Sequence, residues 1–300
     1  TFTSYLYPST IFTLNLDTRK SELYWTPDLS FEASNYTLKR EFYVSKDGTR
    51  IPMFIVHRSD LELNGQNPTY LYGYGGFNGS VTPYFSVSRL TWLELGGVLA
   101  LPAIRGGGEY GEDWHEAGML DKKQNVFDDF ISAGEFLIDS GYTSTEKLSI
   151  GGGSNGGLLV SACMLQRPDL FTVVDCGVPV TDMLRFHKFT IGWAWVPEYG
   201  SSENKEEFET LIQYSPVHNV KDGVDYPSIL ISTGDHDDRV VPSHSYKLAA
   251  ELQLKNGGDN AMLLRVHDKS GHGAGKPTNQ VIREIAETWA FILNEMGISI

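Results

Sequence analysis

Residues 150–159 read IGGGSNGGLL, half of them glycine. So much glycine weakens a helix and a strand alike. It suits a place where backbone takes positive φ or where two backbones come very close. The flanks are regular: residues 147–150 alternate like a strand end, and residues 158–166 are apolar and helix-permissive. The expectation is strand, sharp turn, helix, with Ser154 at the apex. Gly152, Gly153, Ser154, Asn155 and Gly156 fit G-x-S-x-G. In that pattern a strained turn lifts a serine hydroxyl above the sheet end and turns the next backbone amide, here that of Asn155, toward the same point. Ser154 is the candidate nucleophile; an ordinary glycine-rich turn is the alternative.

The rest of the chain fits such a turn into a layered α/β fold. Residues 9–25 and 36–58 alternate around polar turns and read as two hairpins, with no helical pattern before about residue 85. Strands and helices then take turns. Strands are expected around 69–77, 96–104, 147–150, 171–179, 226–234 and 261–267, and helices over 125–138, 158–166, 243–253 and 279–297. The strands are apolar enough to be buried on both faces. A mostly parallel sheet covered by helices on both faces is the expected fold class, α/β. Its sites belong at the carboxyl ends of the strands.

The chain of 300 residues is 41% hydrophobic, enough for a sizeable core. Its net charge of −14 argues against nucleic acid and anionic membranes as partners. No apolar run is long enough for a transmembrane helix. TFTSYLYPST has no basic segment followed by an apolar one, so no signal peptide is expected. The absent initiator Met suggests a fragment or a processed chain. Cys163 and Cys176 read as buried free thiols, which suits a cytoplasmic location.

A serine nucleophile needs a base and an acid to orient it, and in this fold they follow the serine in the order Asp or Glu, then His. The strand ending near residue 234 runs into GDHDDRVVP, and the last strand runs into DKSGHGAGKP. In the second loop His272, flanked by Gly271 and Gly273, is preferred to His267, which lies nearer the strand and is suited to packing. In the first, Asp235, Asp237 and Asp238 share one turn, and the sequence does not choose among them. Asp238 could instead cap the following helix. No cluster completes a metal site around HDD, so no metal is expected. Gly106, Gly108 and Gly111 match G-x-G-x-x-G, but EDWHEAGML is a poor helix start for a dinucleotide fold. A structural turn with Arg105 or Glu109 bonded locally is the expectation there.

GGSNGGLL, DHDDRVVP and GHGAGKP, with YGYGGF, IRGGGEYG, RPDLF, FHKFTIGWAW and YSPVHNV, together resemble the prolyl oligopeptidase family of serine peptidases. The resemblance runs the length of the chain. It implies an α/β-hydrolase fold with Ser154 as nucleophile, Asp237 as the orienting acid and His272 as base. It implies an oxyanion hole from the Asn155 amide and the Tyr74 hydroxyl. A proline pocket would have Trp195 stacked on the ring and Phe77, Val180, Tyr199 and Val240 as lining, with Arg239 on a substrate carbonyl. The implied substrates are short proline-containing peptides, cleaved after proline, with no cofactor. A macrocyclase of the same family and a non-catalytic hydrolase-like binding module are the alternatives. Family members are longer and carry a β-propeller. Residues 1–30 resemble its last strands, residues 31–300 form the catalytic domain, and the missing propeller and N-terminal segment are the expected partner.

Overall fold

In the computed structural model, which describes residues 1–273 and 275–299, the chain opens with a three-stranded antiparallel sheet. Its strands are β1 (Phe2–Ser4), β2 (Tyr7–Leu14) and β3 (Ser21–Trp25), in that order. The hairpin of β2 and β3 was expected; β1 was not. Asn15 closes the hairpin turn by accepting the Asp17 and Thr18 amides. Strand β3 lies at an edge with Leu23, Tyr24 and Trp25 exposed.

The second hairpin, β4 (Tyr36–Val44) and β5 (Arg50–Arg58), turns through Gly48 at φ 90°. The chain then runs through β6 (Thr69–Tyr72), α1 (Val87–Glu94), β7 (Val98–Pro102), α2 (Glu112–Glu116), α3 (Gln124–Asp139), β8 (Leu148–Gly153) and α4 (Asn155–Gln166). It continues through β9 (Val173–Gly177), α5 (Val196–Tyr199), α6 (Lys205–Tyr214), α7 (Pro216–Asn219), β10 (Ser228–Gly234), α8 (Ser243–Lys255), β11 (Met262–His267) and α9 (Thr278–Glu295). The strand order is β11-β10-β9-β8-β6-β7-β5-β4. Neighbours from β11 to β7 are parallel, and β5 and β4 pair antiparallel.

Helices cover both faces of this sheet, as the apolar strands require. On one face Trp92 of α1 stacks on Trp289 of α9, ring centroids 4.9 Å apart, over Tyr70, Leu99 and Val173. On the other, α3, α4 and α8 bury Phe127, Phe130, Leu158, Leu159, Leu248 and Leu252. Of the apolar residues at helical spacing in α3, Val126, Phe127, Phe130, Ala133 and Leu137 have no exposed surface, while Ile131 is only half-buried.

The glycine-rich segment after β7 is a turn, with Gly106 and Gly111 both at φ 85°. It opens only the five-residue α2, a short helix over residues that make a poor helix start. Arg105 is not bonded locally. Its guanidinium lies 2.6 Å from Asp129 Oδ1 of α3 and 2.5 Å from Asp47 Oδ2 of the second hairpin, tying three distant segments together. Glu109 accepts the Val81 amide at 2.7 Å. Cys163 and Cys176 are buried and unpaired, and burial pushes both thiols well above their usual range. Among the described residues no helix is long and apolar enough to cross a membrane.

Candidate active site

The sheet grows in two directions from β6, with β7 on one side and β8 on the other. A crevice opens at the carboxyl ends of the strands at such a switch point. Tyr74, just past β6, and Ser154, directly after β8, flank it.

Ser154 has φ 60° and ψ −116°, a conformation that residues with a side chain rarely adopt. Backbone bonds hold it there. Its amide donates to the Gly177 carbonyl at 2.8 Å, and its carbonyl accepts from Gly157 and Leu158 at 3.0 and 3.1 Å. A Cβ on Gly152 would strike the backbone of Gly156, and one on Gly156 would lie 2.6 Å from the Gly73 carbonyl. The glycines thus let α4 leave β8 at once and pass against the loop after β6. The Asn155 amide, in the first turn of α4, has no intrahelical acceptor and is available at the helix N-terminus.

The structure separates the three aspartates. Asp237 is buried; its Oδ2 lies 2.7 Å from His272 Nδ1 and its Oδ1 accepts the Arg239 and Val240 amides at 3.0 and 2.9 Å. Asp235 accepts the Ser270 amide at 3.0 Å, and the His236 amide donates to the Ser270 carbonyl at the same distance. These bonds zip the loop after β10 to the loop after β11, which carries His272 across to Asp237. Asp238 is exposed and caps nothing: α8 begins later, behind Pro242. His267 ends β11 and packs 3.3 Å from Glu284 of α9. Ala274, within GHGAGKP, lies outside the described residues. Among the described residues no hydrogen bond joins the Ser154 hydroxyl to His272, a common state before substrate binds.

Burial raises the Tyr74 hydroxyl above its ordinary value, with Glu198 adding to the effect and Arg239 opposing it, so at neutral pH it is a protonated donor. Of the residues expected at the proline pocket, Val180 and Val240 are buried, Trp195 is half-buried and stacked on Phe186 at 6.3 Å, and Arg239 is exposed. Phe77 sits at φ 56° with its ring edge-on to Tyr199, 5.4 Å between centroids. Tyr199 is fully buried, and its hydroxyl donates to Asn155 Oδ1 at 2.7 Å.

Sequence reasoning missed the charges behind this surface. Lys123 and Glu198 are both buried, 3.8 Å apart, next to Asn155 and the Tyr74 loop. One signal was present. Lys123, the N-cap of α3, stands three and four residues before Val126 and Phe127, so carrying the helical period back one residue puts it on the buried side. Among the described residues no group of three or more His, Cys, Asp or Glu side chains is placed to hold a metal ion.

The chain is similar to known proteins along nearly its whole length. A profile of the Prolyl oligopeptidase family matches residues 83–299. A prolyl endopeptidase of Elizabethkingia miricola is 53% identical over 298 residues, covering 99% of this chain but only 42% of that protein. A solved prolyl endopeptidase structure, 47% identical, superposes with a TM-score of 0.97 over 99% of this chain and 44% of the other. Prolyl oligopeptidase B from Galerina marginata, bound to a 35-residue hydrolysis and macrocyclization substrate, is 39% identical with a TM-score of 0.95 over 100% of this chain and 43% of that one. The chain therefore spans less than half the length of each of these relatives.

Proposed function

The chain belongs to the prolyl oligopeptidase family, and from that premise we propose that it is the catalytic portion of a serine endopeptidase that cleaves short peptides on the carboxyl side of proline. The observation that carries this reading is the 2.7 Å contact of buried Asp237 with His272, in a chain whose Ser154 is held at φ 60° directly after β8.

In this reading Asp237 fixes the imidazole tautomer with the proton on Nδ1. His272 Nε2 then takes the Ser154 proton as Oγ attacks the carbonyl carbon of the proline residue itself. The Tyr74 hydroxyl and the Asn155 amide receive the oxyanion. The protonated His272 gives its proton to the leaving amine, and water releases the acyl-enzyme by the same steps in reverse roles. The proline ring rests on Trp195, within a wall of Phe77, Val180, Tyr199 and Val240, since a flat apolar ring suits an indole face. Arg239 grips a substrate carbonyl and sets the register.

Residues 1–30 belong, in this reading, to an adjoining β domain of a longer protein, with 31–300 as the catalytic domain. The rest of that longer protein is the partner, and it supplies any limit on substrate size. A reducing, cytoplasmic setting suits the two unpaired thiols. The deciding experiment is hydrolysis of a blocked Gly-Pro chromogenic peptide by the chain and by Ser154→Ala. Turnover that survives in the mutant would remove Ser154 as nucleophile. The Galerina relative's substrate makes peptide cyclisation the second reading. There the peptide's own amine replaces water, and a cyclic product in the mass spectrum would select it.

A further inference from the structure

Three side-chain contacts hold the loop that carries Tyr74, and they come from one buried cluster of Asn155, Lys123 and Glu198. The Tyr74 carbonyl accepts from Asn155 Nδ2 at 2.5 Å. The Gly75 carbonyl accepts from Lys123 Nζ at 2.8 Å. The Phe77 amide donates to Glu198 Oε1 at 2.9 Å. Lys123 also donates to Asn155 Oδ1 at 3.3 Å, which is the atom that accepts the Tyr199 hydroxyl. Glu198 Oε2 lies 2.8 Å from His115 Nε2, and His115 Nδ1 lies 3.0 Å from Glu112. The residue bearing one proposed oxyanion donor and the loop bearing the other are therefore fastened to the same ammonium.

We infer that Lys123, with Glu198 as its counterion, is a positioning residue that keeps the Tyr74 hydroxyl and the Asn155 amide in register for the oxyanion. The inference rests on the function proposed above. A lysine with 1% exposure is costly unless its charge is met. Here it is met by one carboxylate, two carbonyl-type oxygens and the face of Tyr199, 5.4 Å from the ring centroid. Of these groups only Tyr199 also belongs to the proposed proline pocket, and its hydroxyl bond to Asn155 Oδ1 does not run through the Lys123 ammonium. Losing the ammonium should therefore weaken the transition state and leave ground-state binding of proline intact.

The proton on Lys123 gives the device a pH dependence. Burial pulls the ammonium down to about 8, against the attraction of Glu198. The groups facing it are Glu198 and Tyr199 from α5, Asn155 from α4 and the Gly75 carbonyl, with His115 and Glu112 of α2 behind Glu198. Above pH 8 Glu198 loses its counterion and the grip on the Tyr74 loop slackens, so kcat should fall on the alkaline side while KM holds.

The test compares the parent chain, Lys123→Met, Lys123→Arg and Glu198→Gln with two probes. A blocked peptidyl prolinal adds Ser154 to its aldehyde and needs the oxyanion donors; the matching peptidyl pyrrolidide has no electrophile and needs only the pocket. In Lys123→Met, kcat and prolinal affinity should both fall about tenfold to a hundredfold, and KM and pyrrolidide affinity should change less than about twofold. The alkaline limb should vanish in Lys123→Met, and Lys123→Arg should restore part of the rate. Should Lys123→Met fail to fold, Glu198→Gln decides. It keeps an acceptor for the Phe77 amide, removes the counterion, and should show the same split between the probes. Equal loss of both probes, or an unchanged kcat, would overturn the inference. A folded parent chain that neither hydrolyses the peptide nor binds the prolinal would instead overturn the proposed function, and the inference with it.

Discussion

Asp237 and His272 meet at 2.7 Å, while Asp238, the next residue, faces solvent. Two neighbouring aspartates thus have opposite fates in one turn. The reason is the backbone: the Arg239 and Val240 amides close on Asp237 Oδ1 and leave Oδ2 for the imidazole. Asp237→Asn should lower kcat about 10⁴-fold by favouring the wrong histidine tautomer. Asp238→Asn should stay within about twofold of the parent, as exposed substitutions do. Steady-state kinetics on the Gly-Pro peptide compares them, and the reverse ranking would reassign the acid.

Trp195 should matter to proline and little to the serine. Trp195→Ala should raise KM for the proline peptide about tenfold or more, since the indole face is lost to the ring. The rate of labelling by a small fluorophosphonate, which needs only Ser154 and its neighbours, should hold. Parallel losses in both assays would mean that the fold, not the pocket, was damaged.

Gly152 has no room for a methyl group, because the Gly156 backbone occupies the site. Gly152→Ala must push α4 away from β8, at a cost of roughly 1–3 kcal/mol or more. It should also misplace Ser154. Urea unfolding and fluorophosphonate labelling measure the two effects, and an alanine variant with parental values in both would contradict the close approach.

His244 should give the fold an acid limit. It is buried, and Nδ1 accepts the Thr181 and Asp182 amides at 3.1 and 3.0 Å, just past Val180, so the ring must be neutral. Burial lowers it to about 4 in the folded state, with Lys247 contributing and Asp182 opposing. A base depressed on folding contributes stability that is complete above its unfolded value of about 6.5 and is lost as pH falls toward 4. The loss should approach about 3 kcal/mol at most. Urea midpoints from pH 7 to 4 should fall more steeply for the parent than for His244→Gln, which keeps an acceptor but cannot titrate. Parallel slopes would clear His244 of that role.

The sequence carried the frame well where one residue type answers one local demand. The glycines around Ser154 answered a close approach of backbones, and the helical period of residues 125–138 matched the buried face of α3 except at half-buried Ile131. What it did not carry depends on partners far away in the chain. Arg105 looked like a turn residue because its partners lie 24 and 58 positions off, in α3 and the second hairpin. The short helices α2, α5 and α7 are too brief to show a period. Asp235, Asp237 and Asp238 became distinct only through the turn's own amides. Tyr199 was legible as an aromatic near the pocket, but its hydroxyl bond to Asn155 was not, because no local pattern links residues in α4 and α5.

Strand β3, exposed along its edge at Leu23, Tyr24 and Trp25, decides how this polypeptide behaves in a test tube. An uncovered strand with apolar side chains is a template on which another copy can add. Light scattering should therefore climb with concentration well below the temperature at which the main sheet melts. A preparation that stays dispersed will come from blunting that rim, for instance with Tyr24→Lys, and reinforcement of the interior will do nothing for it.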